Sequence, residues 1–239
     1  QMWRRARADA VTAAARVVLA LPLGAMHDIM ARSAPALSAD CILTDVGSAK
    51  GSVVSAAQTV FGEVPSFLVP GHPIAGTEKS GVEASFVELF QNRRVILTPT
   101  DVSAPEAVQK VRAMWEACGA DVVEMGVAHH DEILAATSHL PHMLAYALVD
   151  TLARMDDSRE IFDFAAGGFR DFTRIASSDP NMWHDICLAN HDALVKVLEA
   201  FSDDLRLLAD AVRRADSDFL KETFTRAKQA RDAFCQNDK

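Results

Sequence analysis

No two cysteines in this sequence sit at CxxC spacing. The four are Cys41, Cys118, Cys187 and Cys235, which leaves a zinc or dithiol redox motif without its ligands. No apolar run reaches the roughly 18 residues that a membrane span needs. The start shows no signal-peptide pattern, and the chain holds no internal repeat or low-complexity stretch. Basic residues are in deficit, 24 Lys and Arg against 33 Asp and Glu, a formal net charge of −9. Nucleic-acid affinity rests on neutralising phosphates with Lys and Arg, so neither a nucleic-acid nor a membrane partner is expected. A small anionic substrate stays open, because a few local Arg and His outweigh an average field. Free thiols suit a reducing cytoplasm. The first residue is Gln1 rather than Met, and the full polypeptide is expected to extend upstream.

What is present is ordinary globular composition. Hydrophobic residues make up 49% and charged residues 24% of 239, which excludes disorder, a collagen-like repeat and a small disulfide scaffold. That length suits one or two domains. The chain changes character near residue 126. Before it, short apolar runs alternate with helical patterns: Arg16–Leu21, Cys41–Asp45, Ser66–Val69, Arg94–Thr98 and Asp121–Met125 read as strands, and Glu106–Cys118 as a helix. That alternation predicts a parallel α/β sheet. After residue 126 the pattern is helical throughout. Asp179-Pro180 is a cap followed by proline at the first helical position. From there to Asp216 no Gly or Pro intervenes and apolar residues recur every three or four. This predicts one helix on the order of 50 Å long, well suited to packing against a second subunit. Asp218–Phe234 reads as a further helix.

Polar clusters follow the strand ends, where open α/β sheets bind ligands. One runs Asp45-Val46-Gly47-Ser48-Ala49-Lys50-Gly51, and another from Gly71-His72-Pro73 to Gly81. Pro73 holds His72 extended, and a fixed histidine at a strand end is a candidate acid or base; a structural loop histidine is the alternative. Gly71 to Gly76 has P-loop glycine spacing, but Thr77-Glu78 stands where Lys-Ser/Thr is required. A third cluster, Ser138-His139-Leu140-Pro141-His142, lies in a helical stretch from about Ala128 to Leu152. Ser138 and His142 share a face, and Pro141 should kink the helix. There is no HExxH pattern and nothing fixes a third ligand, so no metal is expected. In Gly167-Gly168-Phe169-Arg170-Asp171-Phe172-Thr173-Arg174, two arginines stand one turn apart. Each is suited to clamp a carboxylate or to form a surface ion pair.

Together GSAKG (47–51), GHPIAGTEKSGVE (71–83), SHLPH (138–142) and GGFRDFTRIASSDPNMW (167–183) resemble the prephenate/arogenate, or cyclohexadienyl, dehydrogenases of tyrosine biosynthesis. The likeness covers roughly residues 16 to 210, with the motifs in the family's order. It implies a Rossmann-like dinucleotide-binding domain over residues 1–126 and an all-α substrate and dimerisation domain over 127–239. It also implies a homodimer, and hydride transfer from prephenate or arogenate to NAD or NADP with loss of carbon dioxide. By the same resemblance His72 is the catalytic base, and Ser48 hydrogen-bonds it near the nicotinamide. Arg174 binds a substrate carboxylate. Ser138, His142 and His130 are pocket residues. Thr77, Glu78, Asp171 and Gly167 belong to the pocket mouth, and Trp183 is an aromatic near the site, with the partner subunit as one source. Leu21, Pro22, Asp45, Val46, Gly47 and Ser48 line the cofactor.

One departure stands out. The family opens with a strand, a GxGxxG turn and a helix, and none of the eleven glycines forms that motif. The first βαβ unit is therefore missing from the sequence, and an upstream continuation is expected to supply it. The competing expectation is a catalytically silent module that binds an aromatic acid and dimerises.

Overall fold

The computed structural model describes residues 11–76 and 85–236, which leaves Thr77 and Glu78 outside the described residues. The chain divides into two compact units, residues 1–194 and 195–239. In the first, β1 (Arg16–Leu19) pairs parallel with β2 (Ile42–Asp45), and β2 with β3 (Leu68–Val69). Every residue of β2 is buried, as expected of a parallel strand covered on both faces. Alternation sorts those faces. Leu43 joins Leu19 and Leu68 against Met26 and Met30 of α1 (Met26–Ser33) and Val53 and Ala57 of α2 (Lys50–Phe61). Ile42 joins Val69, Val95 and Leu97 against Ala107, Val111 and Trp115 of α3 (Pro105–Ala117). Helices on both faces of such a sheet give the Rossmann-like layering.

The expectation of an all-parallel sheet needs correction. β4 (Gly71–Pro73), read from the sequence as loop, pairs antiparallel with β5 (Arg94–Leu97), and β5 pairs parallel with β6 (Asp121–Glu124). His72 therefore lies within a strand, opposite Ile96. Pro70 separates β3 from β4: it has no N–H for the ladder, while its carbonyl accepts the Thr98 N–H at 2.9 Å.

Helices follow. α4 (Val127–Leu134) runs through a π turn, Ala135–His139, into α5 (Leu140–Ala153). The kink expected from Pro141 takes this form. The proline follows the π turn within an otherwise continuous helix, and a π bulge and a proline are both recognised causes of a helix kink. α6 (Ser158–Asp163), α7 (Gly167–Thr173) and a 3₁₀ turn (Arg174–Ser177) lead to α8 (Pro180–Ala189). Asp179 caps α8, its Oδ1 accepting the amides of Asn181 and Met182 at 2.7 and 3.2 Å.

The single long helix from Asp179 to Asp216 is also corrected. It stops at Asn190, whose backbone leaves helical geometry at φ −119° and ψ 30°. α9 (His191–Arg213) then runs 23 residues, about 35 Å at 1.5 Å per residue. In the second unit the later part of α9 is followed by α10 (Ser217–Gln236), with Asp216 Oδ1 capping Phe219 N at 3.1 Å. Leu205, Leu207, Val212, Phe224 and Phe234 are exposed along these helices. Among the described residues no helix is long and apolar enough to cross a membrane.

Candidate active site

The site begins with a buried ion pair. Asp45 ends β2 and Lys50 opens α2, and the two side chains, 1% and 0% exposed, form a direct salt bridge. Asp45 also accepts the amides of Gly47 at 2.8 Å and Gly71 at 3.2 Å, and Lys50 Nζ donates to the Gly71 carbonyl at 2.7 Å. Both backbone groups of Gly71 are thus tied to the pair. A Cβ at this position would lie 3.1 Å from the Asp45 carbonyl and 3.3 Å from Leu97, so a larger residue would have to push these neighbours aside by a few tenths of an ångström. The effect is to fix the next residue, His72, on β4. Burial pushes the Lys50 ammonium below its ordinary value, with Asp45 opposing.

His72 meets α4 across the sheet edge. Its Nδ1 lies 2.9 Å from His130 Nε2, and His130 Nδ1 lies 2.7 Å from Asp131 Oδ1. The Asp131 carboxylate also accepts the Lys50 amide on Oδ1 and the Gly51 amide on Oδ2, both at 2.8 Å. It therefore closes the N-terminus of α2 as an anion should. Burial pushes the Asp131 carboxyl up, but the hydrogen bonds from His130 and the two amides outweigh it and hold the group below its ordinary value. His72 is held well below the ordinary histidine value, first by burial, then by the Lys50 charge, His130 and His139. The imidazole at this position is therefore neutral at neutral pH.

A second group adjoins the first. Asn190 Nδ2 donates to the Asp131 carbonyl at 2.8 Å and to His139 Nδ1 at 3.1 Å. His139 is fully buried, and burial lowers its pKa to about 4 against the pull of Asp131. Its Nε2 has no well-formed hydrogen bond, though the nearby Ser48 backbone favours its protonated form. Its ring meets Trp183 edge-on at 6.1 Å, and Trp183 in turn stacks on His142 at 3.6 Å. His142 Nδ1 donates to the Ser138 carbonyl at 2.8 Å, so the pair expected to share a helical face does so. Burial lowers the His142 pKa, with the Ser138 carbonyl opposing.

Two expectations meet the geometry at this point. Ser48 was expected to hydrogen-bond His72; in the structure α4 brings His130 to Nδ1 of that ring. Trp183 stacks on His142 of its own chain, because α8 returns against the π turn. Arg174, Asp171 and Gly167 are exposed on α7 and the turn after it. Tyr146, one turn beyond His142 on α5, donates its hydroxyl to the Ser178 carbonyl at 2.7 Å and so ties the Arg174–Ser177 turn to the helix carrying His142.

Comparison with known proteins identifies the family. Residues 2–124 match the nucleotide-binding domain of prephenate dehydrogenase, and residues 127–226 its dimerization domain. The chain belongs to the prephenate dehydrogenase family. Cyclohexadienyl dehydrogenase of Zymomonas mobilis is 42% identical over 226 residues, 93% of this chain and 76% of that protein. Prephenate dehydrogenase of Bacillus subtilis is 37% identical over 93% of this chain, which spans 60% of that relative's length. A prephenate dehydrogenase structure from A. aeolicus with hydroxyphenyl propionate and NAD+ superposes with a TM-score of 0.83 and 40% identity, covering 90% of this chain and 75% of that one. The arogenate dehydrogenase structure from Synechocystis gives 0.80 and 27%, covering 95% and 81%. Like its relatives, the protein is an NAD(P)-dependent dehydrogenase built on a nucleotide-binding domain and a helical domain.

The residues of this family member present a suitable ledge for the nicotinamide end of that cofactor. β1 and β2 end side by side, with Leu19 opposite Asp45. Half-buried Leu21 and exposed Pro22 follow the first, and half-buried Val46, buried Gly47 and half-buried Ser48 the second. These apolar and backbone surfaces fit a flat heteroaromatic ring at the carboxyl edge. Asp45 does not present its side chain there, being fully buried against Lys50. Lys50 and His139 lie inside the family motifs but were given no role there, and Asp131 and Asn190 lie outside them. The inward direction of Asp131 and His139 depends on the α4–π turn geometry.

Proposed function

We propose that this chain catalyses the oxidative decarboxylation of prephenate or arogenate, giving 4-hydroxyphenylpyruvate or tyrosine. The observation that carries this reading is the buried, neutral His72 held against His130 and Asp131 beside the carboxyl edge of β1 and β2. Leu21, Pro22, Val46, Gly47 and Ser48 would hold the nicotinamide end of NAD or NADP. When bound, that cofactor accepts hydride from the C4 carbinol carbon. As C4 is oxidised, its hydroxyl becomes acidic and its proton shifts along a hydrogen bond to the free nitrogen of His72. Cleavage of the C1–carboxylate bond releases carbon dioxide and delivers its electron pair to the ring. The oxygen becomes a phenolate and recovers the proton from His72. Aromatisation makes this last step downhill.

Arg174 clamps a substrate carboxylate, for which a guanidinium offers two parallel hydrogen bonds. Ser138, His142 and Trp183 shape the pocket, with Gly167, Asp171, Thr77 and Glu78 at its mouth. The first domain runs over residues 1–126 and the second over 127–239, in line with the family boundary between residues 124 and 127. The protein acts as a homodimer in the cytoplasm. Support for the dimer comes from the dimerization-domain match and from the apolar side chains exposed on α9 and α10.

Absorbance at 340 nm with prephenate and with arogenate, each with NAD and NADP, tests the reaction. Reduced cofactor in at least one combination is expected, and the four rates rank substrate and cofactor. Folded, dimeric, full-length protein that turns over none of them overturns the reading. Light scattering after size exclusion gives the oligomeric state, and a monomer at micromolar concentration would remove the dimer.

A further inference from the structure

His72 is the first of three groups in a line. Asp131 Oδ1 is an acceptor, so the 2.7 Å contact requires a proton on His130 Nδ1. A neutral His130 then has only a lone pair on Nε2, and the 2.9 Å contact to His72 Nδ1 requires the His72 proton to sit on Nδ1. His72 Nε2 is left as the bare nitrogen. The carboxylate itself is held in place from elsewhere, by the amides of Lys50 and Gly51 at the head of α2. Asn190 holds the backbone of the same residue.

We propose that Asp131, acting through His130, sets the tautomer of His72 so that Nε2 is the proton acceptor of the reaction. Asp131 is a positioning residue and does not itself touch substrate. This rests on the reading of His72 as the base. An isolated neutral imidazole divides its proton between both nitrogens, and a base needs the nitrogen facing substrate to be empty. A two-step chain from a fixed carboxylate removes the division. The same logic operates wherever a carboxylate orients a catalytic histidine, with one extra imidazole inserted here. The charged and titratable groups facing this chain are Lys50 from α2, Asp45 from β2 and His139 from the π turn, while β5 offers Val95, Ile96 and Leu97. Lys50 and His139 both disfavour a second proton on His72, so they keep that ring neutral.

Nitrogen-15 and proton correlation spectra of the histidine-labelled protein above pH 7 read the tautomers directly. The expected result is a proton on Nδ1 and none on Nε2 for both His72 and His130. A proton on His72 Nε2, or a doubly protonated His130 donating to His72, overturns the proposal without any variant. Asp131→Asn replaces a charged acceptor with a weaker neutral one that also carries a donor. Its spectra should show both rings acquiring the Nε2–H form. Turnover should fall by roughly 10² or more, by comparison with loss of the orienting carboxylate elsewhere, while the Michaelis constant stays within several-fold. Unchanged tautomers and turnover within twofold of the parent would equally overturn it. Should the variant not fold, the spectra of the parent protein decide. Correct tautomers without turnover would sink the reaction and spare the relay, whereas a wrong tautomer with full turnover would do the reverse.

Discussion

His72 carries the chemistry because its surroundings keep it uncharged. Burial, the Lys50 charge and two neighbouring imidazoles all hold its pKa well below 6.5. The base form therefore dominates at neutral pH, and kcat/KM should stay level down through pH 6.5. The acid limb should begin only as pH falls through the lowered value; a limb centred at or above 6.5 would contradict this environment. His72→Asn should lower turnover by about 10²–10⁴, the usual range for a general base, with the Michaelis constant within several-fold. Arg174→Gln should act the other way, raising the Michaelis constant with little change in turnover, as loss of uniform binding does. An unchanged constant would take Arg174 out of the site. Lys50→Ala would leave the Asp45 carboxylate buried without its partner. Removing one member of a buried pair costs about 3–5 kcal/mol, which chemical denaturation would register. A loss below about 1 kcal/mol would mean that water reaches Asp45.

The elements are held together at few points, and Asn190 is one of them. It ends α8, starts α9, and spends both amide protons on the Asp131 carbonyl and His139 Nδ1. Local periodicity alone favours an unbroken helix through this position. The break exists because an unpaired buried acceptor costs more than a helical hydrogen bond contributes. Asn190→Ala should therefore destabilise the protein by about 1–3 kcal/mol and loosen α4 at the Asp131 carboxylate. Urea unfolding followed by circular dichroism measures the first effect. An unaltered midpoint would show that α8 and α9 are separated by something other than this side chain. The π turn Ala135–His139 is a comparable device. It rotates His139 inward to Asn190 while leaving Ser138 and His142 on one face of the helix.

Taken as a whole, the protein should be acid-sensitive in a definite window. His72 and His139 both titrate below 6.5 in the folded state, His139 at about 4. The unfolded chain takes up these protons first. Stability from these groups is thus fully present above about pH 6.5 and is lost as pH falls, for His139 until about pH 4. At roughly 1.4 kcal/mol per pH unit, His139 alone contributes on the order of 3 kcal/mol. Asp131, held below its ordinary 3.8, adds a loss at still lower pH. Urea midpoints should decline from pH 6.5 to 4 and hold steady between 6.5 and 7.5. A midpoint independent of pH over 4.5–7.5 would mean that the buried imidazoles are not buried in solution.

The amino-acid order alone was enough for the strand and helix alternation, the helical second half, the Asp179 cap and the family. Each of these is written in local periodicity or in short motifs. His72, Ser138, His142 and Arg174 stand out as candidates for the same reason, and the resemblance adds His130. The antiparallel β4, the break at Asn190, the Lys50–Asp45 clamp and the His72–His130–Asp131 line were not legible. Asp45 and Lys50 are only five residues apart, but their facing depends on the turn between β2 and α2; Gly71–Asp45, His72–His130 and Lys50–Asp131 join residues 26, 58 and 81 positions apart. Pairing at such distances leaves no period in the sequence. It is decided when burial forces each polar group to find its hydrogen bond within the fold.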